Sequence, residues 1–141
     1  MKTRLLYKTA LVLFLIPSLM LGSNSDNWKG KHTKEKTIKK EFNVNKDALL
    51  KVSNSYGNID VVTYNGSTIT IEVTIKTNSN DEEKAQRKLD NIDIEFSGTS
   101  SMVEARTKFD KNKSSWWNWG KNNNVNMEVN YLIKFFVDFL F

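Results

Sequence analysis

Residues 48–76, ALLKVSNSYGNIDVVTYNGSTITIEVTIK, hold three runs in which apolar side chains recur at every second position. Ala48, Leu50 and Val52 form the first run, Ile59 and Val61 the second, and Ile69, Ile71, Val73 and Ile75 the third. Successive side chains of an extended chain point to opposite faces, so this period builds half-buried strands and cannot form a helix stripe. Gly57 and Asn58 punctuate the first gap, and Asn65 and Gly66 the second. Asn and Gly tolerate positive φ, and Asn-Gly between two β runs predicts a hairpin. The segment therefore reads as strand, turn, strand, turn, strand.

The same alternation recurs on both sides. Phe42 and Val44 fit a strand that turns at Asn45-Lys46-Asp47 into the central segment. Beyond Thr77, Ser79 followed three residues later by Glu82 reads as a capping box. Ala85, Leu89 and Ile92 then share one face of a short helix near residues 80–90. Asp81, Glu82 and Glu83 suit its positive N-terminal end. Strand patterns resume at Ile92, Ile94 and Phe96, and again at Val103, Ala105, Thr107 and Phe109. The cleanest is the last: Val125, Met127, Val129, Tyr131, Ile133 and Phe135. The expected fold is mainly β, with at least six strands and one helix. It is a twisted sheet, a two-layer stack or a β-solenoid-like stack; a closed barrel usually takes about eight strands.

Residues 1–22 read as a signal peptide. Lys2, Arg4 and Lys8 form a basic head, ALVLFLIPSLML an apolar core, and Gly22, Ser23 and Ser25 a small-residue exit. The apolar run falls short of the roughly 20 residues that span a bilayer. Export to the periplasm or cell surface is expected, with cleavage between Gly22 and Ser25. Without that head, 18 cations face 16 carboxylates, so no broad nucleic-acid-binding footprint remains. Residues 23–40 carry six lysines from Lys29 to Lys40 and read as a basic, solvated linker. His32, the sole histidine, has no partner there for catalysis or metal binding, and no cysteine exists to hold a lipid or a thiolate-bound metal.

Catalytic chemistry is not indicated. Asp60, Glu72, Asp93, Glu95 and Glu104 are candidate acid–base groups, but their spacing selects no pair. No nucleophile elbow, phosphate-cradling glycine loop or histidine pair is present, and no cofactor or metal is expected. One cluster points to binding: Trp116, Trp117 and Trp119 within a polar loop. Exposed indoles stack on sugar rings, which makes a surface glycan one candidate partner and an envelope protein another.

Residues 40–109 resemble the adhesin-like β-repeat proteins exported by Bacteroidetes-type bacteria. The resemblance rests on FNVNKDALLKVSNSYGNIDVVTYNGSTITIEVTI, DEEKAQRKLDNIDIEFSG and VEARTKF, most specifically on the phrase from Asn54 to Asp60. It implies a solenoid-like or stacked-sheet architecture at the cell envelope and a role in adhesion or scaffolding, with no catalytic residues to carry over. Such proteins continue with further repeats, so residues 41–135 read as an incomplete domain. Residues 136–141 read as an aberrant apolar tail of a truncated copy. Tyr131 to Phe141 combines β-propensity with little charge, and self-association through this C-terminal strand is expected.

Overall fold

A computed structural model describes residues 28–110 and 124–136. Seven strands and one helix follow in the order β1 (His32–Asn43), β2 (Leu49–Ser53), β3 (Ile59–Tyr64), β4 (Thr68–Ser79), α1 (Glu82–Asp90), β5 (Ile92–Gly98), β6 (Met102–Phe109) and β7 (Val125–Phe136). They form two sheets, β1-β4-β7-β3 and β2-β6-β5. The fold is thus mainly β with one short helix and no closed barrel. The two-layer arrangement is the one the chain adopts. Turns and capping carry the helix much as expected, but its N-cap is Asp81, whose carboxylate accepts from Lys84 N at 3.1 Å. Ser79 instead accepts from Asp81 N through its hydroxyl.

The core lies between the sheets. Ile69, Ile71, Val73 and Ile75 of β4 meet Val129, Tyr131 and Ile133 of β7 on one side, and Ile92, Ile94, Val103 and Ala105 on the other. Each fully buried aliphatic side chain contributes about 1.5–3 kcal/mol, which makes this alternation the principal source of stability. Helix α1 closes part of the core with Ala85 and Leu89, both buried. Thr77, buried in β4, donates its hydroxyl to Ala85 O at 2.8 Å.

Three sequence expectations are corrected. First, the chain at residues 32–40 is strand and not linker: β1 pairs antiparallel with β4 from His32↔Ser79 to Asn43↔Thr68. Its inward positions carry Lys34, Lys36 and Lys40 beside Ile38 and Phe42, so lysines hide the apolar period. Second, Asn65-Gly66 closes no hairpin. β3 and β4 belong to one sheet, yet β7 lies between them, antiparallel to β4 and parallel to β3. β7 matches β4 from Thr70↔Lys134 to Ser79↔Val125, a longer partner for its apolar face than six-residue β3. Tyr64 braces the wide connection, its hydroxyl donating to Thr68 O at 2.7 Å. Third, β7, the C-terminal strand through which self-association is expected, has no free edge over Tyr131–Lys134, where both its sides are paired. The edges of this sheet are β1 and β3.

The two lateral sides of the sandwich differ. On the β1/β5 side, the Lys36 ammonium donates to Ile92 O at 2.6 Å, and the Phe42 and Phe96 rings meet at 6.3 Å. Gly98 admits that closure, because a Cβ there would strike the Phe42 ring. Among the described residues the side bounded by β2 and β3 has no such seal. Ile59 and Val61 pair with Tyr131 and Ile133, which face the core, yet stay 42% and 56% exposed. Sheet β2-β6-β5 is one strand narrower and leaves them uncovered. Their alternation predicts two buried residues; only Ala48 (7% exposed), Leu50 and Val52 of the first run reach the core or its margin.

Candidate functional site

The phrase that runs from Asn54 to Asn58 carries the chain from one sheet to the other. It does so by docking on β7. Val129 N donates to Tyr56 O at 2.6 Å and Tyr131 N to Asn58 O at 3.0 Å. Asn54 donates its amide to Val129 O at 2.8 Å, and Asn58 N donates to the Asn130 side chain at 2.9 Å. Gly57 has φ +147°, and a Cβ there would collide with the Val129 carbonyl. Only glycine combines that backbone conformation with so close an approach. Tyr56 closes the crossing from outside, edge-on to Phe109 at 5.3 Å. Gly57 and Asn58 are thus structural, but they serve a crossing between the two sheets and not a turn between paired strands, and their partner is a strand some seventy positions away. Gly66 lies beside the Tyr64 ring, and Asn65 belongs to the same connection.

Trp116, Trp117 and Trp119 lie outside the described residues, as do residues 1–27 and the tail from 137 onward. The two positions that bracket the tryptophan segment are described, and each lines a cleft. Asp110 borders one of about 360 Å³ with Lys36, Asp90, Asp93 and Lys108. Asn124 borders another of about 440 Å³ with Trp28, Lys29, Gly30, Asn80 and Asn126. The first is a charged cleft in which cations and carboxylates are interleaved. Burial pushes the Lys36 ammonium below the usual lysine range, against the raising influence of Asp93 and Asp90. The second offers an indole and three carboxamides, groups that hydrogen-bond and stack on neutral polar ligands.

The carboxylates do not converge. Glu72 faces Lys39 at 3.9 Å, and Glu95 faces Lys108 at 2.6 Å. Glu104 lies between Arg106 at 2.6 Å and Lys51 at 3.6 Å, and the Arg106 hydrogen bond holds its carboxyl below the usual range. Asp93 accepts from Ile94 N, and Asp60 is exposed on β3. Each acid has a local partner or faces water alone; no two are aimed at a common point. Among the described residues no group of three or more His, Cys, Asp or Glu could hold a metal ion, and no helix is long and apolar enough to cross a membrane.

Sequence reasoning missed the open β2/β3 side and the lysines facing inward on β1. A signal for the second was present: Thr33, Glu35, Thr37, Lys39 and Glu41 alternate with the half-buried set. No family profile, curated protein or solved structure matches this chain.

Proposed function

We propose that this chain is a non-enzymatic exported protein of the cell envelope, of adhesin or scaffold type, that works by presenting a β-sandwich surface. The observation that carries this reading is the contrast between the two sides of the sandwich. Glu72, Glu95 and Glu104 each face a cation on the sheets, whereas among the described residues the β2/β3 side leaves the outer edge of β3 and its apolar side chains uncovered. Such a surface suits association more than catalysis. The basic head and apolar run at the N-terminus support export. Fractionating expressing cells and probing the envelope for the chain tests the proposal; it is expected there, with an N-terminus between Ser23 and Asp26. A cytoplasmic chain beginning at Met1 would overturn it.

A second reading is a carbohydrate-binding module using Trp116, Trp117 and Trp119. What favours it is the cleft at Asn124, where Trp28, Asn80 and Asn126 supply stacking and hydrogen-bonding groups. A glycan array separates the two. Binding that vanishes when all three tryptophans become alanine would establish this second reading, and an array without signal would leave the first.

A further inference from the structure

Among the described residues no strand pairs with the outer edge of β3, and that edge has a distinctive composition and a determinable hydrogen-bonding phase. Asn58 O accepts from Tyr131 N, so the peptide groups of residue 58 turn toward β7. Peptide groups alternate sides along a strand. Asp60, Val62 and Tyr64 therefore turn theirs to β7 as well, and Ile59, Val61 and Thr63 turn theirs outward. Three successive N–H and C=O pairs thus line the edge on the residues whose side chains are left uncovered on the inner face.

The other three edges are guarded. β1 carries Lys34, Lys36 and Lys40 inward and Glu35, Lys39 and Glu41 outward. β5 displays Asp93 and Glu95, and Glu95 is tied to Lys108. β2 is five residues long with Lys51 at its centre. Charges and short length are how sheet proteins keep an edge from pairing. β3 has one charged residue, Asp60, and exposes Ile59, Val61 and Val62.

We propose that β3 is a self-association edge, at which a second copy of this chain adds its own β3 antiparallel across a two-fold axis through Val61. Antiparallel partners set residues of the same face opposite one another, and a two-fold makes the contact self-complementary. Val61 then faces its own copy, and Ile59 faces Thr63 of the second copy. All outward peptide groups are used, in about six hydrogen bonds. Charge fits this occupant as well. On the outer face Asp60 lies opposite Val62 of the second copy, and Val62 pairs with Lys134 on β7. Each carboxylate therefore points toward an ammonium one strand further on, with no like charges opposed. A β1 edge joined in the same way would oppose lysines. The inference is independent of where the chain resides or what else it binds.

Sedimentation of the full-length chain across the micromolar range tests it. A dimer is expected, and Val61→Lys, which sets two ammonium groups face to face, raises its dissociation constant at least about tenfold. The circular dichroism of that variant should match the parent, and its thermal midpoint should match that of the parent diluted until it is monomeric, because position 61 is on the surface. Thr37→Lys on β1 should leave the dimer intact. The chain has no cysteine, so Val61→Cys should yield a disulfide-linked dimer on oxidation, as the about 5.5 Å Cα separation of a hydrogen-bonded pair permits. A parent chain that stays monomeric at high micromolar concentration would overturn the proposal. So would association that survives Val61→Lys, including association abolished only by Phe139→Lys in the C-terminal tail.

Discussion

The hydroxyl groups of Thr107 on β6 and Tyr131 on β7 lie 2.8 Å apart and join the two sheets by a hydrogen bond inside the sandwich. Thr107 also approaches the Asn54 side chain at 3.2 Å, so the crossing between sheets is fastened at the same place. Tyr131 is fully buried, and burial raises its phenol above the ordinary tyrosine range despite the hydrogen bond to Thr107.

Tyr131→Phe is expected to cost about 0.5–1.5 kcal/mol, the net worth of one interior hydrogen bond. Alkali adds a second signature. A phenol whose folded pKa is raised supports the fold fully below the unfolded value near pH 10, and that support is lost as pH rises beyond it. The parent should therefore weaken above about pH 10, and Tyr131→Phe should weaken less. Urea midpoints measured at rising pH check both.

Gly57→Ala should be strongly destabilising. It places a methyl group against the Val129 carbonyl at a φ that side chains rarely adopt. A loss of about 2–4 kcal/mol is expected, from strain together with rupture of the contacts at Val129 and Tyr131. Chemical denaturation of the variant beside Gly66→Ala, where a movable Tyr64 ring is the neighbour, reads the difference.

Lys88 supplies a pH dependence of the opposite sign. Burial lowers its ammonium to about 7. Between that value and the unfolded value near 10.5, the unfolded chain binds more protons, so stability rises with pH across this window and is lost as pH falls through 7. Lys88→Met should flatten the rise in urea midpoint from pH 7 to about 10 while retaining the helix signal in circular dichroism.

Lys36→Ile combined with Lys40→Ile should convert β1 into a sticky edge. The two lysines occupy inward positions level with Ile75 and Ile71. Replacing them adds apolar burial, removes the Lys36 bond to Ile92 O, and leaves a strand that can pair with another chain. Light scattering should report association through β1 that Val61→Lys does not relieve.

Element types were largely legible in the sequence, and neighbours were not. The β4 run Ile69, Ile71, Val73 and Ile75 and the β7 run Val129, Tyr131 and Ile133 announce buried faces, and both are buried. Periodicity states which way a side chain points; it does not state which strand lies alongside. Asn65-Gly66 has the local chemistry of a hairpin, but β7 offers β4 a longer apolar match and takes the adjacent place. β1 was obscured because lysines hold positions where apolar residues announce a strand. The candidate site fared similarly: Gly57 and Asn58 were recognisable as a break between strands but not as a crossing between sheets, and the exposure of Ile59 and Val61 follows from the narrower opposite sheet, which no local pattern encodes.

The position of β7 also bears on the order of events in folding. β7, the last of the described strands, lies inside its sheet, between β4 and β3, which the chain has already joined. Until it arrives, β3 and β4 are arms held one strand apart with nothing between them, and the crossing at Gly57 has no surface on which to dock. Most of the contacts that define this fold bridge distant parts of the chain, a topology that folds slowly. The four-stranded sheet cannot be completed until Phe136 is available.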